Sequence, residues 1–303
     1  MRPSACRSCH LKVVDNDTEK NMPITRDSVK TYYDQNTRLF LAFGKNNKRK
    51  AQNIHRSLWV EGVQTLEDAL NVSNANILKE IEAIAPQQAR VADLGCGVGA
   101  SLFYIYPRLQ MPNHALGLTL SPMQARLARG TATQLGLEGQ ILFAEGDFMS
   151  VPLGSGLDAV YSVEAVCHAV DPERYFREAA RLLRKGGRLM LVDDYQAARN
   201  FSQAESMWLK AYMDGWYVPG VRTVEQATEW AEQYGLRLIR NDELTPHLRL
   251  RNLPDLLARL ILFLGNHLPI KHAILPSMLG SMALQQCLHM GIVEYRFLVF
   301  EKA

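Results

Sequence analysis

The sequence of 303 residues predicts an α/β fold in which helices cover both faces of a mostly parallel sheet. Three observations support this fold class. Short apolar runs alternate with helical patterns between residues 90 and 192. The first of these runs ends in a cluster of glycines, and a helical pattern follows at once. Two further strand patterns close the chain, and a long helical insert separates them.

The residues before the first strand predict a helical lid. Residues 28–44 and residues 65–84 carry apolar side chains at helical spacing, and a basic, asparagine-rich loop lies between them. We therefore expect residues 23–87 to form a lid and not a separate domain. Residues 1–22 are polar and aperiodic, which predicts a disordered extension.

Strands and helices alternate regularly in the core, residues 88–200. Small polar N-cap residues precede proline at Ser121-Pro122 and at Asp171-Pro172, where we expect helices to begin. Ligands of such a sheet bind at the carboxyl ends of the strands. The predicted strands of the core are residues 90–94, 115–120, 141–144, 157–163 and 188–192.

Residues 201–303 predict the end of the sheet together with a substrate cap. Strands are expected at residues 236–239 and 292–300, and the apolar insert 241–291 between them reads as mostly helical. On the preceding helix, Trp208, Tyr212 and Trp216 recur every four residues and form one aromatic stripe. This stripe and the apolar side chains Leu260, Leu262 and Phe263 predict a hydrophobic small-molecule substrate.

The glycine cluster predicts a nucleotide-binding strand, turn and helix. Gly95, Gly97 and Gly99 allow a tight turn and let a ligand approach the main chain closely. The N–H groups of the next helix would face that ligand. The looser dinucleotide pattern is also satisfied, so a nicotinamide-dependent oxidoreductase is an alternative. The second strand, however, ends at Leu120 without the acid that binds the ribose of NAD.

The run Asp93-x-Gly95-x-Gly97-x-Gly99 resembles motif I of the class I S-adenosylmethionine (SAM) methyltransferases. The run Gly-Leu-Thr-Leu-Ser at 117–121, followed by Gln124, resembles the branch of cyclopropane synthases and of sterol and tocopherol methyltransferases. That branch also includes plant indole-alkaloid N-methyltransferases. The resemblance is good over residues 88–195. It implies a seven-stranded Rossmann-like sheet, a C-terminal helical cap, SAM as cofactor and S-adenosylhomocysteine as product.

The resemblance also implies which residues contact the cofactor. Asp147 would accept a hydrogen bond from the adenine amine while Phe148 packs beside it, although Asp147 could be an ordinary turn residue. Tyr33 would close over SAM, with core packing as the alternative. The full predicted set is Asp93, Gly95, Gly97, Gly99, Thr119, Leu120, Gln124, Asp147, Phe148 and Tyr33.

The segment Tyr161-Ser-Val-Glu164 through His168 resembles the S-x-E segment of sterol, prenyl-diphosphate and tocopherol C-methyltransferases. Methyl transfer to carbon or nitrogen requires a base, and Glu164 is predicted as base or cation stabiliser, with His168 second. Glu164 could instead only orient the SAM amino group or the lid, and His168 could be a hydrogen-bonded loop residue. Predicted substrate contacts are His55, Trp59, Trp208, Tyr212 and Trp216.

The predicted reaction is methylation of a carbon or nitrogen of an isoprenoid, prenylated aromatic or indole-type metabolite. The sequence is also compatible with an O-methyltransferase of a small aromatic compound and with a SAM-fold protein that has no turnover. The net charge of +3 does not favour a nucleic-acid partner, and no metal site is predicted. No apolar run is long enough to span a membrane, so we expect a cytoplasmic protein and leave a homodimer open.

Overall fold

The computed structural model describes residues 23–43, 55–109, 114–251, 253–267 and 274–303. The extension predicted at residues 1–22 and the basic loop after residue 44 lie outside these residues. Seven strands form one sheet in the order β3-β2-β1-β4-β5-β7-β6, and β7 runs antiparallel to both of its neighbours. The strands are β1 Val91–Leu94, β2 Ala115–Thr119, β3 Ile141–Glu145, β4 Leu157–Val163, β5 Leu183–Gln196, β6 Leu236–Glu243 and β7 Val293–Lys302.

Helices cover both faces of this sheet, which confirms the predicted fold class. Ser121 and Asp171 cap helices as predicted, because each side chain accepts a hydrogen bond from a backbone N–H of the first turn. The helices are α1 Arg26–Phe43, α2 Leu66–Ile84, α3 Ala100–Ile105, α4 Pro122–Gln134, α5 Pro172–Leu182, α6 Gln203–Trp216, α7 Val224–Gln233, α8 Asp255–His267 and α9 Ile274–His289.

Alternate residues of the central strands supply two separate cores. On β5, Met190 and Val192 pack into the core beneath α2, α6 and α9. Leu189 and Leu191 point to the opposite face and pack with α5 and α7. The sheet is therefore buried on both sides, as a mostly parallel sheet requires.

The C-terminal insert between β6 and β7 contains α8 and α9, and a glycine pair holds α9 against α6. A Cβ atom on Gly215 would lie 2.5 Å from the carbonyl oxygen of Pro276 and 2.6 Å from the Cα atom of Gly280. Only glycine permits this close crossing. Because the crossing is so close, Trp216 lies directly beside Ser277 and Ser281 of α9.

Helix α1, part of the predicted lid, lies across the carboxyl ends of β2 and β3. Lys30 forms an ion pair of 2.5 Å with Glu145 at the end of β3, and Asp34 accepts a hydrogen bond from Ser121. Tyr32 reaches over to Ser277 of α9, with 2.9 Å between the two hydroxyl groups. Of the helices that the structure describes, none is long and apolar enough to cross a bilayer.

Candidate active site

A cavity of about 290 Å³ lies at the carboxyl ends of β1, β2 and β4 and is covered by α1 and α9. Most of its walls are apolar or aromatic, and a few polar groups converge on it. The lining residues are Val29, Tyr32, Tyr33, His55, Asp93, Gly95, Cys96, Gly97, Val98, Ala100, Ser101, Thr119, Leu120, Ser121, Gln124, Phe148, Val163, Glu164, Ala165, His168, Trp216, Ser277 and Ser281.

The glycine turn forms the floor of this cavity. Gly95, Gly97 and Gly99 all have positive φ angles, which other residues adopt at a cost. A Cβ atom on Gly95 would clash with the Cβ atom of Ala165 at 2.4 Å, and one on Gly99 would lie 2.7 Å from the ring of Phe143. A Cβ atom on Gly97 would meet no atom of the described residues within 4 Å. Gly97 therefore exposes its main chain to a ligand, whereas Gly99 serves packing and does not line the cavity.

Asp93 is the penultimate residue of β1, just before this turn, and is buried. Burial raises the pKa of its carboxyl group to about 8, and the neighbouring Tyr161 hydroxyl opposes that rise. A buried carboxyl group with a raised pKa becomes ionised when a cationic group binds beside it. Asp93 is therefore suited to a positively charged ligand atom.

Gln124 connects the end of β2, at the cavity, to helix α1 through two hydrogen bonds. The Oε1 atom of Gln124 accepts a hydrogen bond of 2.7 Å from the Thr119 hydroxyl group. Its Nε2 atom donates to the Thr37 hydroxyl group of α1 at 3.1 Å. Thr119, Leu120 and Gln124, which were predicted as cofactor contacts, all line the cavity.

Asp147 and Phe148 follow β3, but only Phe148 reaches the cavity. The Asp147 side chain turns back to accept a hydrogen bond of 2.8 Å from the backbone N–H of Met149. Its other oxygen lies 3.7 Å from Arg26 of the lid. The structure therefore gives Asp147 the geometry of a turn residue, because a backbone N–H two residues further on binds one of its carboxylate oxygens.

Glu164 projects into the cavity from the loop after β4, and one of its oxygens carries all of its described hydrogen bonds. Oε1 accepts from the backbone N–H of Arg56 at 2.8 Å and from the Tyr295 hydroxyl group at 2.9 Å. No described residue donates to Oε2. The backbone of Glu164 adopts φ of 50°, which is strained for a residue other than glycine. The carboxylate is thus held in one orientation, and its second oxygen has no hydrogen-bond donor within the described part of the chain.

A buried ion pair supports this carboxylate from behind. Two Arg56 nitrogens each donate to an Asp194 oxygen at 2.6 Å, and the Tyr212 hydroxyl group donates to Asp194 at 2.8 Å. The guanidinium group of Arg56 also stacks on the Tyr295 ring, 4.3 Å from its centroid. Asp194 and Glu164 raise the pKa of Arg56 against the effect of burial. Arg56 is therefore a permanent cation between the two carboxylates.

Both ring nitrogens of His168 are occupied. The Nδ1–H group donates to the carbonyl oxygen of Tyr217 at 3.2 Å, so Nε2 accepts from the Tyr33 hydroxyl group at 2.7 Å. Burial lowers the pKa of His168 and keeps it neutral. In this arrangement His168 positions Tyr33 of the lid and has no free nitrogen for proton transfer.

His55 has a free nitrogen inside the cavity. Its Nδ1–H group donates to the carbonyl oxygen of Arg56 at 3.3 Å. Its Nε2 atom is buried and has no hydrogen-bond partner among the described residues. Burial lowers the pKa of His55, so Nε2 carries a lone pair that can accept a proton from a bound molecule.

Of the predicted aromatic stripe, only Trp216 reaches the cavity. Each step of four residues turns a helix about 40° beyond a full turn, so the stripe rotates away from the cavity along α6. Tyr212 is fully buried against Asp194, and Trp208 is fully buried with its Nε1 atom 3.0 Å from Asp255. Trp59 is likewise absent from the cavity and stacks under the guanidinium group of Arg249.

The apolar side chains predicted to line the cap are divided between two environments. Leu262 is buried, but Leu260 and Phe263 are more than half exposed on the outer surface of α8. The sequence identifies these residues as apolar but cannot say which face of the helix is turned inward. They therefore do not contribute to the cavity.

Several residues that shape the site were not predicted. Arg56 and Tyr295 bind Glu164 from two distant segments, and Asp194 binds Arg56. Tyr32, Ser277 and Ser281 complete the cavity wall. Their sequence contexts are ordinary, so only the folded chain identifies them. Among the described residues, no three His, Cys, Asp or Glu side chains gather as metal ligands.

Comparison with known proteins agrees with this geometry. Residues 92–191, about a third of the chain, match a family described as a methyltransferase domain. A probable chloroplastic tocopherol O-methyltransferase from Oryza sativa subsp. japonica is 30% identical over 158 residues, which are 50% of this chain and 42% of that protein. Norajmaline N-methyltransferase from Rauvolfia serpentina is 33% identical over 117 residues, 38% of this chain and 39% of that protein. The chain thus spans less than half the length of either relative.

A solved structure of geranyl diphosphate methyltransferase, in complex with GPP and sinefungin, has a TM-score of 0.73 to this chain. The two chains are 17% identical, and the match covers 92% of this chain and 99% of the other. This likeness establishes the fold of nearly the whole chain. Together with the family match, it confirms the predicted resemblance to class I methyltransferases.

Proposed function

We propose that this chain is a SAM-dependent methyltransferase that methylates a carbon or nitrogen of a hydrophobic small molecule. The methyltransferase domain match at residues 92–191 includes the glycine turn and the Glu164 loop. Both features line the same cavity. The match to this domain supports SAM as the cofactor. The apolar residues that line the cavity support a hydrophobic substrate.

The floor of the cavity suits SAM. Gly97 leaves open space above the main chain, and Asp93 is poised to become a carboxylate beside a cationic group such as the SAM ammonium. Thr119, Leu120 and Gln124 would border the ribose, and Phe148 would pack beside the adenine. When bound, SAM supplies an electrophilic methyl group on a sulfonium. Tyr33, held by His168, closes this part of the cavity from the lid.

The observation that carries the proposal is the fixed Glu164 carboxylate with a free Oε2 atom. Transfer of a methyl group in line requires the acceptor to be held in position, and the protonated product must then lose a proton. Glu164 Oε2 is an ionisable oxygen at the cavity that has no hydrogen-bond partner among the described residues. Glu164 therefore either accepts that proton or stabilises the cation that releases the proton.

The walls around Glu164 suit an apolar substrate. The cavity between the glycine turn and α9 is lined by apolar and aromatic side chains, among them Val29, Tyr32, Val163 and Trp216. Of the described lining residues, none is a lysine or arginine. A prenylated aromatic or indole-type compound fits these walls better than a diphosphate, and the relative named norajmaline N-methyltransferase supports a nitrogen acceptor.

O-methylation is the second candidate, and His55 is the observation that favours it. Its buried Nε2 atom lacks a described partner and can accept the proton of a hydroxyl group. The relative named tocopherol O-methyltransferase is consistent with this chemistry. A nicotinamide-dependent reaction has less support, since the domain match is to methyltransferases.

The test is incubation with SAM carrying a labelled methyl group and a panel of prenylated aromatics, indole alkaloids and prenyl diphosphates. Labelled product from an apolar acceptor, lost in Glu164→Gln and retained in His55→Gln, supports the proposal. Product lost in His55→Gln and retained in Glu164→Gln supports O-methylation. Labelling of prenyl diphosphates alone would contradict the substrate class.

A further inference from the structure

Helix α8 carries a continuous apolar surface that faces away from the protein. Leu256 is 81% exposed and Phe263 is 60% exposed. At 100° per residue, the exposed apolar side chains fall within an arc of about 160°. Together we call them the α8 face: Leu256, Leu257, Leu260, Ile261, Phe263 and Leu264.

The opposite side of α8 is packed tightly enough to fix this orientation. Ala258, Leu262 and Gly265 are turned inward, toward α9. A Cβ atom on Gly265 would lie 2.8 Å from the side chain of Leu279, so α8 approaches α9 closely because this residue is glycine. The helix cannot turn the bulky α8 face toward α9 without losing that fit. The apolar exposure is therefore a feature of the folded chain.

The α8 face lies one helix away from the cavity. Met278 of α9 is also 60% exposed, whereas Ser277 and Ser281 on the same helix line the cavity. Exposed apolar surfaces of this kind mark sites that contact a partner or a membrane.

The charge of the insert indicates which kind of partner contacts the α8 face. Residues 245–291 contain Arg249, Arg251, Arg259 and Lys271 but only one acid, Asp255. That acid is paired with Arg259 at 2.6 Å. Arg249 and Arg251 are exposed on the segment that leads into α8. The excess of three positive charges in this segment equals the net charge of the whole chain, +3.

An apolar face in a segment with a net positive charge matches an anionic lipid surface. A second copy of the chain is a poorer partner, because a symmetric dimer would bring this basic segment against itself. At 13 residues α8 is about 20 Å long, too short to span a bilayer but suited to lying in its interface.

We propose that the α8 face and Met278 dock this protein onto the surface of an anionic phospholipid bilayer. The docking does not depend on the proposed methyl transfer. Docking places the C-terminal insert against the bilayer, in which a hydrophobic molecule would be dissolved.

The experiment is flotation of the full chain with phosphatidylcholine vesicles, with or without phosphatidylglycerol. The wild-type chain should float with the mixed vesicles and far less with phosphatidylcholine alone. Phe263→Glu together with Leu260→Glu should weaken binding on the order of tenfold or more, because both side chains would leave the bilayer. Leu142→Glu is the matched control, since Leu142 is 61% exposed on β3, away from this face.

Each result bears on the proposal. Mixed-vesicle binding that is lost in the double variant and kept in Leu142→Glu supports it. Absence of binding, equal binding by the double variant, or a concentration-dependent dimer that the double variant abolishes would each overturn it. Circular dichroism of each variant confirms that the fold is retained, which is expected because the altered side chains are exposed.

Discussion

The Tyr295 hydroxyl group donates a hydrogen bond of 2.9 Å to Glu164 Oε1, although the two residues are 131 positions apart. The backbone N–H of Arg56 reaches the same oxygen from the segment before α2. The last strand, the loop after β4 and the segment before α2 therefore meet at one carboxylate. Because the donors gather on Oε1, they orient Oε2 without occupying it.

We expect Glu164→Gln to lower kcat by at least about a hundredfold, because the amide cannot accept a proton. Affinity for S-adenosylhomocysteine should be almost unchanged, since the substitution keeps the shape of the side chain. Steady-state kinetics and calorimetry measure the two effects separately. Glu173→Gln, at an exposed position that binds Tyr234, is the control and should be fully active. Normal turnover by Glu164→Gln would remove Glu164 as the base.

Tyr295→Phe should lower kcat roughly tenfold, since it removes a hydrogen bond to a charged group while leaving the ring in place. Tyr295 is a positioning residue, so the effect should fall on kcat, while the affinity for S-adenosylhomocysteine should be almost unchanged. Steady-state kinetics and calorimetry measure the two quantities. Parallel losses of kcat and of S-adenosylhomocysteine affinity would indicate a merely structural role.

Arg56→Ala should reduce the free energy of unfolding by about 3–5 kcal/mol, because it leaves the carboxylate of Asp194 buried without its cation. Asp194→Asn combined with Arg56→Ala should recover part of that loss. Chemical denaturation of the single and double variants measures this coupling. Lys210→Ala, which breaks an exposed pair with Asp214, should cost less than about 1 kcal/mol. Equal losses in the two alanine variants would contradict the buried ion pair.

Gly97→Ala and Gly136→Ala separate the ligand role of a glycine from its conformational role. Both glycines have positive φ, and a Cβ atom at either would meet no protein atom within 4 Å. Each substitution should therefore cost about 1–2 kcal/mol of stability through backbone strain. Only Gly97→Ala should weaken cofactor binding, by at least about tenfold, because its methyl group enters the cavity. Similar affinities in the two variants would move the cofactor away from the glycine turn.

The stability of the ligand-free protein should fall as pH rises, because of Asp93. Burial raises the pKa of Asp93 to about 8, so below that pH the folded protein holds a proton that the unfolded chain loses near its ordinary pKa of 3.8. The wild type should therefore lose stability relative to Asp93→Asn as the pH rises from about 5 to about 8. Urea unfolding at several pH values, with Asp214→Asn as control, measures this. Burial also raises the pKa of Asp193 to about 7. Asp193 therefore also makes the wild-type protein less stable as pH rises. A pH-independent difference between the two proteins would refute the raised pKa of Asp93.

The order of strands and helices could be predicted because local patterns encode it. Ser121 and Asp171 mark helix starts through their own hydrogen bonds, and β1, β2 and β4 are short apolar runs. The strand β5 begins earlier than expected, at Leu183 and not near Arg188. Its pairing with β4 continues past an irregularity between Leu157 and Ala159, and a local pattern does not record this.

The cavity was predictable only where residues share a strand end. These residues lie at or just after the carboxyl ends of four strands and meet because parallel strands end at one edge of the sheet: Asp93, Thr119, Phe148 and Glu164. The positions of Trp208, Tyr212 and Trp59 depend on which helix face or loop is turned inward. Arg56 and Tyr295 reach Glu164 through tertiary packing alone. These contacts are long-range, so spacing along the chain carries no signal for them.

Calorimetric titration with S-adenosylhomocysteine, with NADH as the control, tests the central claim most directly. We expect micromolar binding of S-adenosylhomocysteine, much weaker binding in Gly97→Ala, and no binding of NADH. Binding of NADH without S-adenosylhomocysteine would contradict the assignment of the glycine turn to SAM, and the proposed methyl transfer would fall with it.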